Sequence, residues 1–97
     1  MNSNKTILLD VQLEGMLDFI RDMGWKVDTV TKLFGTTESD RKDDKIIEHA
    51  KNNRNTVVVT QDQGLTKRCR SLGINVVGIE MDNLAKMVDK ELREKFS

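Results

Sequence analysis

Three aspartates stand where short apolar runs give way to polar, helix-forming sequence. Asp10 ends the run Thr6-Ile7-Leu8-Leu9, Asp62 follows Thr56-Val57-Val58-Val59-Thr60, and Asp43 opens the helical stretch leading into that second run. Aspartate is short and offers only oxygen donors, so three carboxylates gathered in one place make a pocket for a hard divalent cation. Magnesium or manganese held there neutralises charge on a phosphodiester and lowers the pKa of a bound water, which becomes the nucleophile. Metal-assisted phosphodiester hydrolysis is the chemistry to which these residue types point. It requires no histidine, which suits a chain whose single one, His49, falls within a helical stretch.

The elements that must position these residues alternate strand and helix. Thr6 to Leu9 is a short apolar run, the pattern of a strand buried on both faces. Leu13, Met16, Leu17 and Ile20 then recur at helical spacing, with Gly24 as a C-terminal stop. Trp25 to Val30 alternates as a second strand, and Thr31 to Arg41 reads as a long polar loop. A helix is expected over 43–52, turning Ile46, Ile47 and Ala50 inward, and Thr56 to Val59 forms the third strand. Leu65, Cys69 and Leu72 space the next helix, capped by Gly73, and a fourth strand is expected over Ile74 to Ile79. The last helix, Asn83 to Phe96, carries Leu84, Met87, Val88 and Leu92 on one stripe, for which core packing is the first expectation.

Strands separated by helices imply a single α/β domain, with a four-stranded, mainly parallel sheet and helices on both faces. The most economical order sets the first strand beside the third, with the second and fourth outside. Ligands of such open sheets bind at the carboxyl ends of the strands, where the strand order reverses. Asp10 and Asp62 fall at that point. Asp43 reaches it only if its helix starts at the same edge, which the long loop after the second strand permits.

A simpler role competes. Aspartate is a preferred N-cap worth about 1 kcal/mol, and each of the three lies at an expected helix start. Their shared edge is what favours a site over three separate caps, and pattern alone leaves both readings open.

Composition narrows the setting. Ninety-seven residues are 37% hydrophobic and 33% charged, and sixteen basic side chains balance sixteen acidic ones. A neutral chain lacks the global basic field of a dedicated nucleic-acid binder, so any such binding must use a local patch. The single cysteine, Cys69, forms no internal disulfide and suits a reducing compartment. No stretch has the length of a transmembrane helix, and the polar start Met1-Asn2-Ser3-Asn4-Lys5 does not read as a signal peptide. A cytoplasmic location and no membrane partner are the expectations.

Three segments resemble the motifs of short PIN-like domains. Leu8-Leu9-Asp10-Val11-Gln12-Leu13 is similar to their opening Leu-Leu-Asp-Glu-Asn-Leu. Asp43-Asp44-Lys45-Ile46-Ile47-Glu48-His49-Ala50 resembles their second motif, an aspartate with aliphatic residues three and four positions on. Val58-Val59-Thr60-Gln61-Asp62 resembles the third, a buried strand ending in Thr-x-Asp. The resemblance spans residues 5 to 80 and implies a Rossmann-like sheet and a magnesium- or manganese-dependent endoribonuclease, often the toxin of a toxin–antitoxin pair. It makes Asp10, Asp43 and Asp62 the catalytic metal ligands. Thr60 then supports Asp62 from behind, and Gln12 takes the place of the family's asparagine. RNA, an antitoxin protein and a second copy of the chain are the implied partners. Two positions depart from the pattern: Val11 replaces an acidic residue, and Gly64 replaces the second aspartate of the common Thr-x-Asp-x-Asp-Phe ending.

Cationic residues near these motifs are the candidates for RNA phosphate. Lys67, Arg68 and Arg70 follow Asp62, and Arg41, Lys42 and Lys45 flank Asp43 as a basic rim; a solvated helix face is the plainer reading of each. Asp44 rivals Asp43 as a ligand, and Glu80 ends the fourth strand on the same edge. Trp25, Phe34 and His49 read as packing, and Cys69 as a small buried hydrophobe. Two other functions compete with the ribonuclease. One is a catalytically degenerate PIN-like module that binds RNA or a protein, motivated by Val11 and Gly64. The other is a receiver-like phospho-acceptor, from which the chain departs by about one β-α unit and by lacking an acidic pair at Asp10-Val11.

Overall fold

The computed structural model describes residues 5–35 and 39–96, and of residues 39–41 the backbone alone. Strand β1 (Thr6–Leu9) runs into a 3-10 segment (Val11–Met16) and helix α1 (Leu17–Asp22). Strand β2 (Lys26–Thr29) is followed by a short helix α2 (Val30–Phe34) and by α3 (Ser39–Asn52). Then come β3 (Thr56–Thr60), α4 (Gln63–Ser71), β4 (Val76–Gly78) and α5 (Met81–Phe96).

The four strands form one all-parallel sheet in the order β2-β1-β3-β4. The chain leaves β1 towards β2 on one side and leaves β3 towards β4 on the other, so the order reverses between β1 and β3, as the sequence implies. Register aligns Leu9 with Val59 and with Thr29, which brings the carboxyl ends of three strands level.

Alternation along the strands builds a core on each face of the sheet. Leu8 and Val58 point one way and pack with Val30, Ile46, Ile47, Ala50, Leu65, Cys69 and Ile74 from the α2, α3 and α4 side. Ile7, Leu9, Val27 and Val59 point the other way, over Leu13 with Met16, Leu17 and Ile20. Each fully buried leucine or isoleucine contributes about 1.5–3 kcal/mol relative to exposure.

Helices α1 and α4 both end where glycine allows the chain to turn left-handed. Gly24 has φ 98° and Gly73 φ 72°. At Gly73 the N–H of Ile74 reaches back to the Cys69 carbonyl at 2.9 Å and that of Gly73 to Arg70 at 3.2 Å, the paired closure that satisfies a helix's last carbonyls. At Gly78 a side chain would force Thr66 on α4 to shift, because a Cβ there would come within 2.8 Å of it.

Several expectations are corrected. The stretch 31–41 is not a continuous loop: Thr29 caps α2 by accepting the Lys32 N–H at 3.1 Å, and α3 starts at Ser39. Asp43 therefore lies inside a helix rather than at its start. Strand β4 is only three residues long and Leu72 is exposed. The stripe of α5 is not core: Met87, Val88 and Leu92 are all more than half exposed, and α5 buries no residue.

Candidate active site

Asp10 leaves β1 with its backbone N–H bonded to the Val59 carbonyl at 2.9 Å, so the sheet ladder extends one residue beyond the strand and fixes the side chain at the switch point. The residue is fully buried. A buried carboxylate is costly unless its oxygens are met by donors or opposite charge, and here both are. Oδ1 accepts the Val11 N–H at 2.8 Å and pairs with the Lys42 ammonium at 3.0 Å. Oδ2 accepts the Thr60 hydroxyl at 2.6 Å.

Thr60 is itself fully buried at the end of β3, and its Oγ1 also accepts the Asp62 backbone N–H at 3.0 Å. This hydroxyl thus supports Asp62 through the backbone, and Asp10 directly. The second of these links has no counterpart in the sequence pattern. Asp62 is half-buried and caps α4, its Oδ1 accepting the Leu65 N–H at 2.9 Å. Capping does not exhaust either strand-end aspartate, since a carboxylate has about four acceptor positions.

Asp43 differs from both. It caps nothing, and its Oδ1 is buried with no hydrogen-bond partner, the one such side-chain atom among the described residues. Burial pushes its carboxyl above the usual aspartate value, and the charge of Asp62 and, more weakly, that of Asp10 push it further; Lys42 and Arg68 oppose the rise. The charges of Asp62 and Asp10 therefore both act on Asp43. A buried oxygen without a donor, on a carboxyl that feels two other acids, is a place where a cation would be stabilised.

Among the described residues, no three His, Cys, Asp or Glu side chains are gathered into a ready ion cage. The donor chemistry still fits a hard divalent cation, being all oxygen with one acceptor unsatisfied.

The remaining candidates separate clearly. Asp44 is turned outward, paired with Arg68 at 2.8 Å, so Arg68 is engaged within the protein and Asp44 is no rival ligand. Lys67 and Arg70 line a cleft of about 60 Å³ with Gln61, Gln63, Thr66 and Glu80, on the β4 side of Asp62. Lys42 is not part of an exposed rim but reaches Asp10, its side chain only 13% exposed. Lys45 is exposed beside Glu48 and His49. The Arg41 side chain lies outside the described residues. Gln12 and Val11 are exposed. Gly64 lies close to the site, since a Cβ there would be 3.2 Å from Asp62 Oδ1.

Of the other residues read as packing, Trp25 is corrected, since it is exposed, whereas His49, Phe34 and Cys69 behave as expected. The half-buried His49 ring meets Phe34 edge-on at 5.8 Å, and Cys69 is buried, with its thiol pKa pushed up by desolvation. No helix among the described residues is long and apolar enough to cross a membrane. No protein-family model matches the chain, and no curated protein or solved structure is significantly similar to it.

Proposed function

We propose that the chain is a magnesium- or manganese-dependent ribonuclease of the PIN-like type. The observation that carries this reading is the buried, unpartnered Oδ1 of Asp43, on a carboxyl that feels the charges of Asp62 and Asp10. The parallel sheet, and Asp10 and Asp62 at its switch point, add support.

In this reading Asp10, Asp43 and Asp62 hold the ion, which would neutralise phosphate charge and provide an activated water. The protein's own groups supply the positioning. Thr60 and the Val11 N–H fix the plane of the Asp10 carboxylate, so that little reorganisation is needed there. Helix α4 carries Lys67 and Arg70 along the adjacent cleft, where they would bear on the phosphates of an RNA strand without reading its sequence. The apolar stripe of α5 offers a face for the implied second copy or for a protein partner of antitoxin type.

Manganese calorimetry on the wild type and on Asp43→Asn tests the reading. Asp43 caps no helix, so the substitution removes a ligand without disturbing a helix end. Saturable binding in the wild type and none in the variant is expected, with metal-dependent cleavage of single-stranded RNA following the same pattern. A wild type that binds no manganese rules the reading out.

A degenerate PIN-like module is favoured by one specific observation: the Lys42 ammonium already neutralises Asp10. RNA binding without metal binding or cleavage is the outcome that would select it.

A further inference from the structure

We propose that Lys42 is a resident counter-cation of the carboxylate crevice, and that a divalent ion must displace its ammonium in order to bind. The inference rests on the metal-site reading above and adds an occupant that regulates the site.

The Lys42–Asp10 pair is unlike the other ion pairs among the described residues. Its members are 13% and 0% exposed, whereas Arg21–Asp18, Arg68–Asp44, Arg93–Asp89 and Lys95–Glu91 all lie at least half in solvent. Solvent-exposed pairs form and dissolve at little cost. A desolvated pair does not, because each partner left alone would be an uncompensated buried charge. The Lys42 charge also acts on the neighbouring Asp43, where it opposes the repulsion from Asp62 and Asp10. One ammonium therefore does electrostatically, at two carboxylates, what a bound cation would do.

The acceptor positions of Asp10 show why the two cations compete. Its oxygens already receive the Val11 N–H, the Thr60 hydroxyl and the Lys42 ammonium, and a carboxylate offers about four such positions. Direct ligation by a metal ion of fixed geometry needs room there as well as relief from the nearby positive charge. The Val11 N–H belongs to the adjoining peptide and cannot leave. The Thr60 hydroxyl is buried and also bonded to the Asp62 N–H. Lys42 alone of the three donors sits on a flexible four-carbon stem, and its side chain retains some exposure through which to swing out. The ammonium is the donor that yields.

The test follows the lysine in the intact wild-type chain. Amine acylation read by peptide mass spectrometry should find Lys42 slowly labelled without metal and several-fold faster with saturating manganese, while exposed Lys45 and Lys67 are unchanged. The manganese effect should vanish in Asp43→Asn. In parallel, Lys42→Met keeps the aliphatic stem and removes the charge, and it should bind manganese on the order of tenfold more tightly, the scale on which groups surrounding metal ligands act. Saturable manganese binding with unchanged Lys42 labelling, or with equal or weaker affinity in Lys42→Met, overturns the proposal and leaves the metal site standing. Absence of manganese binding in both wild type and Lys42→Met overturns the proposal and the metal-site reading together. Should Lys42→Met fail to fold, the labelling experiment on the wild type decides alone.

Discussion

The Thr60 hydroxyl lies 2.6 Å from Asp10 Oδ2 while accepting the backbone N–H of Asp62 at 3.0 Å. One buried threonine thus ties together the ends of β1 and β3, the two strands between which the sheet order reverses. The link explains how a small sheet tolerates a fully buried aspartate, since both oxygens of Asp10 are met by donors from fixed elements. It also makes Thr60 hard to replace. Valine has nearly the same shape but can neither donate to Asp10 nor accept from Asp62.

Thr60→Val should therefore lower unfolding stability by about 2–3 kcal/mol, the range for stranding a buried partner, at the upper end because the acceptor is charged. Thr60→Ser keeps the hydroxyl and should recover most of that loss. Urea denaturation of the three proteins checks both values, and a Thr60→Val protein as stable as wild type would remove the coupling role.

Asp43 makes the opposite contribution. Its carboxyl pKa is raised in the folded protein, first by burial and then by Asp62 and Asp10. An acid with a folded pKa above its unfolded value binds its proton more tightly when folded, so its contribution is fully present below the unfolded pKa. That contribution is lost as pH rises through the folded value, which leaves a strained carboxylate at neutral pH. Asp43→Asn should melt higher than the metal-free wild type at about pH 7, with the gap narrowing as pH falls towards about 4, near the unfolded aspartate pKa. Thermal unfolding across that range is the check, and a gap independent of pH would contradict the assignment. Stabilisation by removal of a charge is what a ligand position held ready for a cation should show.

How much of this was legible in the sequence depended on where each signal lay. Short aliphatic runs ending in aspartate located β1 and β3, and the economical connection of four strands led to the observed order. The start of α3 is hidden because Ser39-Asp40-Arg41-Lys42-Asp43-Asp44 contains no apolar residue, so helical periodicity becomes visible only at Ile46. Reading Asp43 as a helix-opening residue followed from that gap. Lys42 left no local trace of its role: a lysine within a charged run looks like a solvated rim, and only the tertiary fold brings its ammonium to Asp10. The α5 stripe shows the converse limit. Periodicity marked an apolar face correctly, but it carries no information about what that face packs against.

That face makes a prediction of its own. Met87, Val88, Leu92 and Phe96 are 65%, 58%, 53% and 79% exposed on one helix, an arrangement that leaves apolar area to be removed from water by association. Sedimentation analysis should find a self-associated chain, and Val88→Glu with Leu92→Glu should shift it to monomer without lowering the thermal stability of that monomer. A wild type that remains monomeric at high concentration would assign the stripe to another partner.

The basic residues of α4 divide by what they already touch. Arg68 is held by Asp44 at 2.8 Å, whereas Lys67 and Arg70 line the cleft beside Asp62. Phosphate contacts add affinity in proportion to the counterions they release, so each one lost from a single-strand complex should reduce the salt slope of binding by about 0.7. Lys67→Ala and Arg70→Ala should each weaken binding of single-stranded RNA and flatten its dependence on salt, similarly across RNA sequences. Arg68→Ala should leave the salt slope near the wild-type value. Fluorescence anisotropy over a range of potassium chloride concentrations separates these cases. If the salt slope falls only in Arg68→Ala, the strand follows the Asp44 side of α4 instead, and the cleft beside β4 is not its track.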